Sequence, residues 1–236
     1  MRTLGLIGGM SWESSALYYR QINEAVRQRL GGLHSARLLL YSVDFAEIEA
    51  LQRAGDWDQA GRLLADAAQR LQGAGAEGLV LCTNTMHVVA PALEAAVAIP
   101  LLHIADATAL AARASGHGCV GLLGTRFTME QPFYIERLRQ HGLQVLLPEA
   151  AERATVHRII YEELCLGQVH AASRQAYRQA MAALVARGAQ AIILGCTEIT
   201  LLVGQADASV PLFDTTALHA LAGAEQALAG TTPTPA

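Results

Sequence analysis

The stretch Leu79-Val80-Leu81-Cys82-Thr83-Asn84-Thr85-Met86-His87 decides how the chain is read. An apolar run of the kind that fills a buried strand ends in a cysteine, a threonine and a further polar residue, and a helical pattern follows through Ala96. The second half repeats it as Ile192-Ile193-Leu194-Gly195-Cys196-Thr197-Glu198-Ile199-Thr200, with the cysteine 114 residues further on. A strand running into a helix leaves its last residues beside unpaired backbone N–H groups and the positive end of the helix dipole. Such a place favours an anion, so it suits a thiolate or a substrate carboxylate.

On either side of Cys82, apolar runs alternate with longer segments of helical spacing. Leu4 to Ile7 ends at Gly8-Gly9-Met10-Ser11, and a helix is expected from about Trp12 to Leu30, with Ser11 as its N-cap and Ser14 and Ser15 in its first turn. The glycines before it allow a tight turn and close backbone approach to a ligand. A second strand spans Arg37 to Val43, helical spacing covers Ile48, Leu51 and then Trp57 to Leu71, and Pro100 to Ile104 forms another strand-like run. Strand then helix, repeated, is the signature of a parallel sheet with helices on both faces.

The pattern then restarts. Gly121-Leu122-Leu123-Gly124-Thr125 resembles Gly5-Leu6-Ile7-Gly8-Gly9 at an offset of 116 residues, and Pro211 matches Pro100 at 111. With the cysteines at 114, three landmarks keep their order and near-constant spacing. The chain is therefore expected to form two α/β domains related by an internal duplication, residues 1–104 plus 215–236 carrying Cys82 and residues 105–214 carrying Cys196, with Gln144 to Pro148 as the second strand of the second half. Parallel sheets bind ligands at the carboxyl ends of their strands. Two such halves are expected to set the two thiols on opposite walls of an interdomain cleft. The proline-rich tail from Gly230 is expected to fray.

Composition narrows the partners. The chain has 236 residues, 52% of them hydrophobic and 16% charged, enough for well-cored domains. A net charge of −4 leaves no electrostatic footprint for nucleic acid or an anionic membrane surface. The N-terminus lacks the features of a signal peptide, and no apolar run approaches the ~20 residues a membrane span needs, so a cytoplasmic location is expected. The cysteines at 82, 119, 165 and 196 form no C-x-x-C pair and are read as free thiols. All 17 basic residues are arginine. Without a lysine, no side chain can form the Schiff base on which pyridoxal phosphate chemistry rests.

Other motifs carry less. Gly116-His117-Gly118-Cys119-Val120-Gly121 formally matches G-x-G-x-x-G but leads into a strand instead of following one, so it is not read as a nucleotide site. Nothing has metal-like spacing. Cys119, at the start of the strand ending at Thr125, and Cys165, within the helical stretch Tyr161 to Leu166, are read as inert core thiols. Cys82 and Cys196 differ because the same strand-end placement occurs twice.

A pair of thiols suits one reaction in particular. To invert a carbon bearing a proton, a base on one face removes it and an acid on the other returns it, and two groups of equal chemistry but opposite protonation serve both directions. A free thiol has a pKa of about 8.5, and a helix N-terminus can bring it down to roughly 3.5–7.5, so one can be thiolate while the other stays thiol. Backbone amides and hydroxyls of Thr83, Asn84, Thr85 and Thr197 can meet the developing enediolate. No metal or coenzyme is called for. His87 either tunes Cys82 or covers a helix face. Glu198 either binds the substrate ammonium or caps its helix. Two readings from other classes stay open: a cysteine hydrolase with Cys82 as nucleophile and His87 or His103 as base, and a non-catalytic amino-acid sensor.

The set Gly8-Gly9-Met10-Ser11-Trp12-Glu13-Ser14, Cys82-Thr83-Asn84-Thr85-Met86-His87, Gly124-Thr125 with Thr128-Met129, and Gly195-Cys196-Thr197-Glu198-Ile199 resembles the aspartate/glutamate racemase family. The resemblance spans nearly the whole chain. It implies two flavodoxin-like three-layer domains with pseudo-twofold symmetry, cofactor-independent racemisation by paired cysteines, and a homodimer. Carried over, Cys82 and Cys196 become the acid/base pair, and Met10, Thr83, Asn84, Thr85, Thr125, Thr128, Thr197 and Glu198 become substrate-site positions. A decarboxylase or cis-trans isomerase on the same fold stays open.

The departures bear on the substrate. Glutamate racemases resembling this chain carry histidine where Glu198 stands, which points to the aspartate branch. Aspartate-specific members grip the side-chain carboxylate with an arginine after the second strand and a lysine in a helix of the second half. Here the first region offers Gln52, with Arg53 beside it, and the helix Thr155 to Gly167 offers Tyr161 and Cys165. The chain therefore resembles the broad-specificity amino-acid racemases, with neutral or polar substrates such as homoserine expected and aspartate as the alternative.

Overall fold

A computed structural model of the chain describes residues 1–230. It forms two compact units, Met1–His103 with the segment from His219, and Ile104–Leu218. The tail after Gly230, expected to fray, lies outside the described residues.

The first unit runs β1 (Leu4–Gly8), α1 (Trp12–Leu30), β2 (Leu38–Ser42), α2 (Phe45–Ala54), α3 (Trp57–Gly73), β3 (Gly78–Leu81), a 3-10 turn (Thr85–Val89), α4 (Ala90–Ala96) and β4 (Leu101–Leu102). Its four strands are all parallel in the order β2-β1-β3-β4, with Leu4 opposite both Leu38 and Gly78. Alternation along the strands divides the core into two. Ile7, Leu79 and Leu81 pack with Ile48 of α2 and Ala60, Leu64 and Leu71 of α3. Leu4, Leu6, Val80 and Cys82 turn the other way, onto Tyr18, Ile22 and Val26 of α1 and Ala220, Ala224 and Ala227 near the C-terminus. Each fully buried leucine or isoleucine contributes about 1.5–3 kcal/mol relative to exposure. Ser11 caps α1 as expected, its side chain accepting from the Ser14 amide.

The second unit runs α5 (Ile104–Ala114), β5 (Cys119–Gly124), α6 (Arg126–Glu130), α7 (Pro132–Gln140), β6 (Gln144–Leu146), α8 (Ala150–Glu162), a 3-10 turn (Leu164–Leu166), α9 (Ala171–Ala186), β7 (Ala191–Gly195), α10 (Ile199–Leu202) and β8 (Leu212–Asp214). The division between units then falls inside α11 (Thr215–Leu228). The strands are again all parallel, in the order β6-β5-β7-β8. Both sheets thus have the flavodoxin-like order in which the first strand lies between the second and the third. The repetition seen in the sequence is a repetition of topology.

Two helices differ from expectation. The segment after Cys82 is not a single helix: Pro91 lies in the first turn of α4, where its missing N–H is tolerated, but a proline ring bars an α-helix from continuing back through it. The helix expected through Gly167 ends at Glu162, and the 3-10 turn that follows closes on Gly167 in the left-handed region at φ 72°. Among the described residues, no helix is long and apolar enough to cross a membrane.

Candidate active site

In the first unit, candidate residues gather at the carboxyl ends of β1 and β3. Cys82 directly follows β3, and its amide donates to the Ile7 carbonyl at 2.9 Å, which ties the turn to β1. Its side chain is fully buried, with the S–H directed at the Val80 carbonyl at 3.7 Å. Thr83, Asn84 and Thr85 are buried in the turn that follows. The Thr83 amide closes that turn on the Leu81 carbonyl at 2.8 Å, and the His87 amide donates to the Asn84 carbonyl at 3.1 Å.

Met10 lies buried in the loop after β1. Gly9 before it has φ +95°, and a Cβ there would stand 2.2 Å from the Val43 carbonyl oxygen. Only glycine lets this loop cross the end of β2 so closely. Gln52, on α2, is buried and donates its Nε2–H to the Met86 Sδ at 3.0 Å. That contact joins the residue singled out for the side-chain wall to the Cys82 turn. Arg53 beside it points elsewhere, pairing with Glu49 at 2.7 Å on an exposed face.

In the second unit, Cys196 directly follows β7, and its S–H donates to Glu198 Oε2 at 3.0 Å. Thr125, after β5, caps α6 by accepting from the Thr128 amide at 3.3 Å, and the two hydroxyls lie 3.2 Å apart. Thr128 is fully buried against the strand ends, close enough that a Cβ on Gly124 or Gly195 would meet its side chain at 3.2 Å. The Thr197 carbonyl accepts from the Thr200 hydroxyl at 2.8 Å. Tyr161, on α8, stacks at a tilt on His157 with ring centroids 4.8 Å apart. His157 in turn accepts the Arg126 amide proton on Nδ1 at 3.2 Å, which brings Tyr161 to the Thr125 turn.

The electrostatics overturn one expectation. No long helix begins at either thiol: the turn after Cys82 is 3-10 and α10 after Cys196 has four residues. The dipole is correspondingly small. Burial instead pushes the Cys82 thiol well above its usual range. Burial first, and then the negative charge of Glu198, push Cys196 up as well. Glu198 makes no side-chain cap to α10; its carboxylate serves the thiol. Cys165, expected in the core of a helix, is exposed in the 3-10 turn, and Cys119 is half-buried.

Sequence reasoning missed two groups. His157 lies one turn before Tyr161 on α8, and that spacing, which places them on one face, is the signal in the sequence that points to it. The second is the joining of His87 and His103, each weighed singly above, with His219 and Tyr18 in one buried cluster. No local pattern links residues so far apart in the chain.

A profile of the Asp/Glu/hydantoin racemases matches residues 7–223. The broad-specificity amino-acid racemase RacX of Bacillus subtilis is 23% identical over 221 residues, covering 91% of this chain and 93% of RacX. A crystal structure of a candidate Asp/Glu racemase from Yersinia pestis superposes with a TM-score of 0.92 at 60% identity, covering 97% of this chain and all of that one. An aspartate racemase homologue from Pyrococcus horikoshii gives 0.83 at 34% identity, covering 96% and 99%. The chain belongs to the Asp/Glu/hydantoin racemase family.

Proposed function

We propose that the protein is a cofactor-independent amino-acid racemase in which Cys82 and Cys196 act on opposite faces of the substrate Cα. The observation that carries this reading is the equivalence of the two thiols: each directly follows the third strand of a sheet of the same order. In one direction a Cys82 thiolate removes the α-proton and the Cys196 thiol protonates the opposite face; in the other the roles exchange. Amides and hydroxyls of Thr83, Asn84 and Thr85 on one side, and of Thr125, Thr128 and Thr197 on the other, receive the substrate carboxylate and the charge it gains as the carbanion forms. Met10 lines the same end of the first sheet.

Burial holds both thiols protonated, so one of them must release its proton to solvent as substrate enters. The substrate ammonium is the cation that favours this, with Glu198, beside Cys196, as its proposed partner. A thiolate in so dry a site is a stronger base than one in water, which suits removal of a weakly acidic Cα proton.

The substrates proposed are neutral and polar amino acids such as homoserine. Gln52 and Tyr161 stand where the aspartate-specific pattern has cations, and the neighbouring Arg53 is paired on the surface with Glu49. The broad amino-acid specificity in the name of RacX supports this breadth. A cytoplasmic homodimer is proposed as the working form. The test is a panel of amino acids with chiral analysis of products: racemisation of neutral and polar substrates ahead of aspartate and glutamate supports the reading, and turnover of aspartate alone overturns the breadth.

A further inference from the structure

Three histidines in the first unit are buried: His87 is 1% exposed, His103 3% and His219 0%. Their rings adjoin, His87 lying 4.5 Å from His103 and 5.7 Å from His219, centroid to centroid. The proton positions follow from the partners. His219 Nε2 faces the Leu102 carbonyl at 2.9 Å, and a carbonyl only accepts, so Nε2 carries the proton. His219 is neutral, so its Nδ1 accepts, and the Tyr18 hydroxyl donates to it at 2.8 Å. By the same logic His87 Nδ1 carries a proton and donates it to the Thr83 carbonyl at 2.7 Å.

Thr83 is the first residue of the turn that leaves Cys82. Its amide is held by Leu81, and its carbonyl is held by the His87 side chain. Both ends of one peptide-bearing residue are thus fixed, and the His87 ring is itself held by the other two imidazoles. Four aromatic rings in this arrangement are a costly way to fill a core, because three carry polar nitrogens that each need a partner. A leucine would fill the same space without that demand.

We propose that His87 is a positioning residue for racemisation: its Nδ1–H bond to the Thr83 carbonyl fixes the turn that aims Cys82 and the Thr83–Thr85 amides at the substrate, with Tyr18, His219 and His103 as the buried stack that fixes His87. This rests on the two-thiol reading, and it names a role that reading does not require. His87 itself exchanges no proton with substrate.

The test compares His87→Phe, which keeps the ring stack and loses the donor, with His87→Asn, whose amide nitrogen stands near the place of Nδ1. The Phe variant is expected to stay folded and to lose on the order of 10²-fold in kcat, the cost of a misplacement near 1 Å. The Asn variant is expected to recover to within about tenfold of the parent. The decisive readout is the isotope effect with each α-deuterated enantiomer. Misaiming one thiol makes its proton transfer limiting, so the effect rises for the enantiomer Cys82 deprotonates and falls for the other. Partial unfolding scales both directions alike and leaves the two effects unchanged. Long-range 1H–15N correlation gives a substrate-free readout, with His87 expected as the Nδ1–H form. Unchanged isotope effects in the Phe variant, or a proton on Nε2 alone, overturn the role while leaving the racemase standing. Absence of racemisation in the parent enzyme overturns both.

Discussion

Cys196 donates its S–H to the Glu198 carboxylate across 3.0 Å, so the thiol beyond the second sheet rests on a base two residues away. The pair is partly buried, and the carboxylate raises the thiol's pKa beyond what burial does. Glu198→Gln removes that charge and keeps the shape. The pH limb of kcat/KM that belongs to Cys196 is expected to move to lower pH, with kcat/KM reduced by roughly tenfold or more as the ammonium partner is lost. A pH–rate profile identical to the parent's contradicts the pairing.

His219 gives the fold a defined weakness to acid. Burial foremost, and His87 beside it, bring its pKa from 6.5 down to about 3 in the folded chain. Between those values the unfolded chain binds a proton that the folded chain refuses, so stability is full above pH 6.5 and falls as the pH drops, by about 1.4 kcal/mol per pH unit. Thermal unfolding between pH 7 and pH 4 checks this. His219→Gln is expected to cost about 1–3 kcal/mol at pH 7, because the Tyr18 hydroxyl loses its acceptor, and to flatten the pH slope. An equal slope in parent and variant assigns the acid sensitivity to other groups.

Gly9 tests the loop that carries Met10. Its φ of +95° and the 2.2 Å approach of the Val43 carbonyl leave no room for a side chain. Gly9→Ala is expected to cost more than about 2 kcal/mol, from strain and collision together, read as a lowered midpoint of denaturant unfolding. Denaturant unfolding with an unchanged midpoint shows that the loop relaxes freely.

Most of the fold was legible in the sequence, for a physical reason. Fully buried parallel strands read as continuous apolar runs, as in Leu4–Gly8 and Ala191–Gly195, and caps such as Ser11 announce their helices. The duplication doubled each signal. What could not be read was set by geometry across the chain. The 3-10 turn after Cys82 depends on how Pro91 starts α4, and with the short turn went the expected lowering of the thiol pKa. The edge-on contact of His87 with His219 joins residues 132 positions apart, and nothing local marks it.

The proposed side-chain wall around Gln52 and Tyr161 rests on resemblance. Gln52 reaches the Cys82 turn by its contact with Met86 Sδ at 3.0 Å. Gln52→Leu is expected to lower kcat/KM for hydroxyl-bearing substrates about tenfold or more relative to apolar ones of similar size, because a polar side chain then loses its partner. Competition between homoserine and norvaline measures it. An unchanged ratio removes Gln52 from the wall.

The central claim is that Cys82 and Cys196 are two halves of one acid–base pair. Solvent-deuterium incorporation at Cα tests it most directly, followed from each enantiomer of an accepted amino acid in D2O for the parent, Cys82→Ala and Cys196→Ala. The parent is predicted to incorporate deuterium into the inverted product from both enantiomers. Each single variant is predicted to lose inversion in both directions while retaining, at most, slow exchange of the one enantiomer that faces the surviving thiol. Inversion that persists in either alanine variant contradicts the account.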